Sequence, residues 1–198
     1  AGMSGIAASH RLQQAGIDHV VLEKNDDVGG TWLENTYPGC RVDVQNHMYS
    51  YSFAQKPDWP YYFSPRDVLG TYFRECAERF DVLPRVRFGT EVLRCSWDDT
   101  AGLWQVVVRD RQGRESTLAA HAVISAVGQL NRPKLPDIAG RDSFTGASFH
   151  SARWDHSVDL RGKKVAVIGS GASACQFVPS VAEQAGELRV FQRTPPWL

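Results

Sequence analysis

The residues of this chain whose types and spacing could do chemistry are two glycine turns, one acid, one guanidinium and a His–Trp segment. Ala1–Gly5 (AGMSG) reads as the tail of a G-x-G-x-x-G turn, with Gly2 as its second glycine and Gly5 as its third. Val165–Ala174 (VAVIGSGASA) presents such a turn again, with Gly169 and Gly171 followed by Ser173 and Ala174. Glycines here let backbone approach a pyrophosphate closely, and the helix that follows offers free amides to the negative charge. Glu23 ends the strand after the first turn, where a carboxylate can accept hydrogen bonds from both hydroxyls of a ribose. Arg193-Thr194 stands at the corresponding place after the second turn. A guanidinium there suits a 2′-phosphate, and the missing acid removes a repulsion, so the second nucleotide reads as NADP rather than NAD. Between the two turns lies Phe144–Asp155 (FTGASFHSARWD), a Gly, His and Trp linker joining two cofactors that must exchange electrons.

The elements that must position these residues follow in order. Ile6 to Ala15 has a helical apolar pattern ended by Gly16, and His19–Leu22 is a short β-branched strand. Asp26–Gly39 is rich in breakers and is not expected to form regular structure, yet its Trp32 and Tyr37 could give stacking area to a flat ring. Tyr49, Tyr51 and Phe53 alternate, and a second aromatic patch, Trp59–Phe63, precedes Ser64-Pro65. Ser64 reads as an N-cap for a helix that reaches about Phe80 with Val68, Leu69, Tyr72, Phe73, Cys76 and Ala77 on one face. Val86–Phe88, Glu91–Trp97 and Leu103–Asp110 alternate as a β-meander, and alanine-rich His121–Val127 reads as a buried strand ending at Gly128, which would bring Ala126–Gly128 near the cofactor. Asn131–Asp137 (NRPKLPD) is a hinge candidate. Lys163–Ile168, a helix to about Ala185 with Pro179 expected to kink it, and Leu188–Gln192 complete a second strand–helix–strand unit.

Bulk properties exclude several classes. Hydrophobic residues at 42% and charged residues at 22% allow a real core. Twenty-two basic against 22 acidic side chains give no argument for a nucleic-acid or membrane partner. No apolar run nears the ~20 residues of a membrane span, and no signal peptide is visible. Cys40, Cys76, Cys95 and Cys175 are scattered, which argues against a zinc site or redox disulfide and for reduced thiols in a cytoplasmic protein. Starting inside a glycine turn and stopping just after a strand, the chain is expected to be a piece of a longer protein.

GGTW at Gly29–Trp32, the YPG and Asp43 that follow, and F-x-G-x-x-x-H-x-x-x-W-D at Phe144–Asp155 resemble the class B flavoprotein monooxygenases. More narrowly they resemble the Baeyer–Villiger type, and Ser50–Phe63 is most like its 4-hydroxyacetophenone-monooxygenase branch. N-hydroxylating and flavin-containing relatives share a similar linker, usually without the Trp-[Pro/Asp] ending. The resemblance implies FAD on Gly2, Gly5, Glu23, Gly30, Thr31, Trp32, Asp43 and Tyr49, with Val92 lending backbone to the adenine. It implies NADPH on Gly169, Gly171, Ser173, Ala174, Arg193 and Thr194. His150 would couple movement of the nicotinamide domain to catalysis, in a positional role. Asp43 would sit by the flavin, paired with a catalytic arginine from beyond Leu198.

The expected fold is therefore α/β, with two Rossmann-like dinucleotide-binding domains, the first carrying a small antiparallel meander. Residues 1–138 would bind FAD, and residues 139–198 would hold the linker and the first half of the NADPH domain. The activity implied is NADPH- and O2-dependent insertion of one oxygen atom next to a ketone carbonyl through a C4a-peroxyflavin, giving an ester or lactone. Two alternatives stand beside it: an N- or S-oxygenating flavin monooxygenase, and a nucleotide-binding fragment without turnover.

Overall fold

A helix begins directly behind the first glycine turn: in the computed structural model, which describes residues 1–195, α1 runs Met3–Gln14 with Gly2 as its extended N-cap. It buries Ile6 and Ser9 and stops where Gly16 turns left-handed, the Gly16 and Ile17 amides closing onto Gln13 and Leu12 carbonyls. Strand β1 (Val21–Leu22) follows, then a short helix α2 (Thr31–Glu34) and the long helix α3 (Arg66–Arg79). Leu69, Tyr72, Phe73, Cys76 and Ala77 are all buried along α3, the three- and four-residue spacing of one helical face. Strand β2 (Val86–Arg87) pairs parallel with β1, Val21 against Val86.

An antiparallel meander comes next, in the order β3 (Glu91–Asp98), β4 (Leu103–Arg109), β5 (Glu115–Ala120). Val106 and Val108 of β4 are buried, while most of β3 is exposed. The last unit is a parallel pair, β6 (Lys164–Ile168) and β7 (Glu187–Phe191), joined by helix α4 (Ala172–Ala182). Both ends of the chain are thus parallel α/β, with the meander in the first part, as the sequence patterns imply.

Two units divide the contacts. One is Ala1–Leu33 with Gly70–Asn131; the other is Glu34–Leu69 with the chain from Arg132 onward. The last of the three junctions falls at the edge of the Asn131–Asp137 hinge candidate. Each unit has its own core: Ile6, Val28, Phe73, Ala77, Val82, Val106 and Val108 in the first, Val42, Tyr51, Leu69, Val167, Phe177 and Val181 in the second.

Several local expectations need correction. Asp26–Gly39 does contain regular structure, because the Gly29 and Gly30 carbonyls accept the Trp32 and Leu33 amides and so start α2. Val86-Arg87 belongs to the β1 pair rather than the meander, whose third strand is Glu115–Ala120. His121–Val127 forms no strand: Ile124 and Val127 are 60% and 67% exposed. A β-prone run becomes a strand only beside a neighbour's hydrogen-bonding edge, and none of the described strands pairs with it. Ser64 is fully buried, and its hydroxyl is taken up by Asn46. Helix α4 continues past Pro179 but ends at Ala182, short of Ala185.

Candidate functional site

In the first unit, the glycines close on one another before any side chain enters. A Cβ on Gly30 would lie 2.9 Å from Gly2 Cα, and Gly30 itself has φ +55, so this backbone-on-backbone approach needs glycine. The Gly29 amide donates to the Ala1 carbonyl at 3.0 Å, tying the Val28–Gly30 loop to the entry of α1. Gly2 precedes the first turn of α1, whose leading amides have no carbonyl within the helix to bind. Gly5 is buried, with Ala126 Cβ 3.9 Å from where its own Cβ would be, so the loop ending at Gly128 does run past α1. Thr31 and Trp32 form the first turn of α2, with Trp32 only 9% exposed.

Glu23 directly follows β1 and is buried. Its Oε1 accepts the Asn25 amide at 2.8 Å, and Oε2 lies against the main-chain nitrogen of Ala1. A buried carboxylate therefore faces the entry to the glycine turn, held at a strand end. The Thr90 amide donates to the Glu23 carbonyl at 2.9 Å, so β3, with Val92 near its start, departs from the same strand end. Val92 pairs with Val108 beside a bulge and is 38% exposed.

In the second unit, the parallel register places Ile168 opposite Phe191. The Gly169 turn and Arg193-Thr194 therefore leave the sheet at the same edge, the carboxyl end where α/β sheets bind ligands. Gly169, at φ +109, donates its amide to the Phe191 carbonyl at 2.9 Å, which joins the two strand ends. Gly171 is the extended N-cap of α4; Ser173 and Ala174 lie in its first turn, with Ala174 buried. Arg193 and Thr194 are exposed.

Asp43 is exposed on the loop that follows Pro38-Gly39. Its charge acts on two phenols. Burial first, then Asp43, raises the Tyr49 pKa above its ordinary value. Tyr37 is pushed up to about 12, chiefly by burial, against a hydrogen bond from Ser173 that lowers it. The Tyr37 hydroxyl donates to Gln176 Oε1 at 3.0 Å, and its ring meets Phe177 edge-on at 6.1 Å. Tyr37 is thus committed to α4 along its whole side chain.

The linker packs onto the same helix. Trp154 lies 5.3 Å from Phe177 and 5.3 Å from Phe149, ring centre to ring centre. Asp155 accepts both the amide (2.9 Å) and the hydroxyl (2.6 Å) of Ser157, which hold its carboxyl below the usual carboxylate range. His150 is half-buried and caps a 3-10 turn, Ser151–Arg153: the Ala152 amide donates to Nδ1 at 3.1 Å. A ring accepting at Nδ1 carries its proton on Nε2, so the turn selects one tautomer. His156 Nε2 and Thr36 Oγ1 are 2.9 Å apart, and Arg153 pairs with Glu34 at 3.6 Å.

The structure thus gathers Gly2, Gly5, Gly30 and Glu23 around the start of α1, and Gly169, Gly171, Ser173, Ala174 and Arg193 at one sheet edge. Sequence reasoning missed Gln176, Asn46 and the hydroxyl of Tyr37. Asn46, fully buried, donates to the Tyr61 carbonyl at 2.7 Å and accepts the Ser64 amide at 2.8 Å. A lone amide side chain carries no spacing signal that could have singled it out.

Comparison with known proteins identifies relatives of this chain. A family model described as flavin-binding monooxygenase-like matches residues 1–198. A Baeyer–Villiger monooxygenase of Streptomyces coelicolor is 48% identical over all of this chain, and one of Pseudomonas aeruginosa is 43% identical. This chain spans 37% of the length of each of these curated relatives. Among solved structures, OTEMO in complex with FAD and NADP superposes with a TM-score of 0.88 at 39% identity, over 100% of this chain and 38% of that one. A closed cyclohexanone monooxygenase gives 0.88 at 35% identity, over 100% of this chain and 37% of that one.

Proposed function

The chain belongs to the flavin-binding monooxygenase-like family, and we propose that it carries the FAD site and the start of the NADPH site of a Baeyer–Villiger monooxygenase. The observation that carries this reading is the contrast between the two strand ends. A buried carboxylate, Glu23, faces one glycine turn, and an exposed guanidinium, Arg193, shares a sheet edge with the other. One end suits the ribose of FAD and the other the 2′-phosphate of NADPH. The solved relatives that hold FAD and NADP support the same pair of cofactors.

The residues fit these groups. The close approach of Gly2 and Gly30 brings the Val28–Gly30 loop to the start of α1, and the free first amides of that helix would hold a pyrophosphate there. Gly171 and the first turn of α4 offer the same device to the second nucleotide, with Arg193 and Thr194 for its phosphate. When bound, the flavin supplies the redox and oxygen chemistry and the nicotinamide supplies the hydride; the protein binds, orients and excludes water. Asp43, whose charge acts on Tyr37 and Tyr49, would orient a cation for the reaction. His150, its tautomer held by the Ala152 amide, positions the linker rather than exchanging protons. FAD is assigned to residues 1–138 and NADPH to residues 139–198, with Glu34–Leu69 of the FAD segment built into the second unit.

The reaction is insertion of one atom of O2 next to a ketone carbonyl, giving an ester or lactone. The partners are a small ketone and O2. No described helix is long and apolar enough to cross a membrane, and the cysteine usage supports a cytoplasmic enzyme. The test is product analysis of the full-length protein offered a ketone, an amine and a sulfide with NADPH. Ester or lactone from the ketone is expected; oxidation of the amine or sulfide alone would assign it to the N- or S-oxygenating relatives instead.

A further inference from the structure

We propose that Gln176 is a positioning residue: from α4 its carboxamide grips the main chain of Arg41 and so sets where Asp43 stands. The proposal rests on the reading of Asp43 as a working side chain. Gln176 Oε1 accepts the Arg41 amide at 3.2 Å while Nε2 donates to the Arg41 carbonyl at 3.0 Å. Pairing with both groups of one residue imitates a neighbouring β-strand and fixes the orientation of the peptide planes, which a single hydrogen bond leaves free to rotate. The second lone pair of Oε1 is filled by the Tyr37 hydroxyl. Gly39 makes the approach possible, because a Cβ there would stand 2.5 Å from the Gln176 carbonyl oxygen.

Segment 62–66 grips the same stretch. Arg41 bridges Pro65, the Val42 amide donates to Ser64 at 3.1 Å, and the Arg66 amide donates to Cys40 at 2.9 Å. Val42 is 2% exposed, so Asp43 is the first exposed side chain after a buried anchor. Gln176 supplies the half of this grip that comes from the helix assigned to NADPH. Ser173, in the first turn of that helix, lowers the Tyr37 pKa against the larger effect of burial. The phosphate-binding turn and the Asp43 segment are therefore linked through Tyr37 and Gln176.

The test uses the full-length protein with Gln176→Met, which keeps length and apolar volume, and Gln176→Glu, which keeps both acceptor contacts and loses the Nε2 donor. Without nucleotide, hydrogen exchange at the Arg41 amide is expected to quicken about 10-fold in Gln176→Met, the scale of losing one hydrogen bond, and by less in Gln176→Glu. With ketone and NADPH saturating, kcat falls about 10-fold in Gln176→Met while KM for NADPH stays within about 3-fold, a split that general loosening of α4 would not produce. Unchanged Arg41 exchange in Gln176→Met overturns the proposal, and so does a rise in KM for NADPH that matches the fall in kcat. Should Gln176→Met not fold, Gln176→Glu decides by the same exchange measurement. A wild-type protein that oxidises no ketone refutes the functional reading alone, since the exchange result is read without substrate.

Discussion

Replacing Gly30 with alanine tests the reasoning about the first glycine turn most directly. Two costs meet at this position. An L-residue at φ +55 pays about 1–2 kcal/mol for the left-handed conformation. The added Cβ would also stand 2.9 Å from Gly2 Cα, which must move, and overpacking of that kind costs about 1–3 kcal/mol. Two other glycines separate these terms. Gly16 has φ +67 with nothing within 4 Å of its virtual Cβ, so Gly16→Ala carries only the conformational cost. Gly2 has φ −82 and its Cβ would approach Gly30 Cα at 3.3 Å, so Gly2→Ala carries only a mild contact. Alanine stiffens the unfolded chain by a similar amount in all three, so that term cancels between them. Urea unfolding should rank Gly30→Ala as the most destabilised, by roughly 1–3 kcal/mol beyond Gly16→Ala, with FAD lost first from the Gly30 variant. If Gly30→Ala proves no worse than Gly16→Ala, the close approach of the two backbones is not a real constraint and the turn was not shaped by it.

Two further outcomes are expected. Arg193→Ala should weaken NADPH binding about 10- to 100-fold, the loss of a charge-assisted pair, and leave NADH nearly unchanged; equal losses in titrations with both nucleotides would remove the 2′-phosphate assignment. Tyr37, at about 12 in the folded protein against roughly 10 unfolded, stays protonated more readily when folded. Its contribution is thus intact below about pH 10 and is lost as pH rises from there toward 12. Tyr37→Phe should unfold in urea with a shallower decline across that window, and identical alkaline profiles for the two proteins would contradict the burial of the phenol.

What could be read from the order of residues was whatever is made locally. Gly2, Gly5, Gly169 and Gly171 announce helix starts because a helix's free amides lie within a few residues of the glycines that expose them. Glu23 and Arg193 were legible because each ends a short strand-like run that can be recognised from its own composition. The same locality misled the reading at His121–Val127, where strand propensity was plain but no partner edge completes it. It also hid α2, whose initiating carbonyls belong to the breakers Gly29 and Gly30 themselves.

The tertiary structure alone decided how the YPG loop is held. Gln176 and Arg41 are 135 residues apart, and an amide side chain in a helix says nothing of which backbone it will meet. Nor could periodicity tell that Glu34–Leu69 would fold with the chain beyond Arg132, that Trp154 would pack on Phe177, or that the Tyr37 hydroxyl would be spent on Gln176. Glycine turns and strand ends carry their chemistry in the backbone and are written along the chain. The placement of Asp43 depends on pairings between distant segments, which exist only once both have been folded against each other.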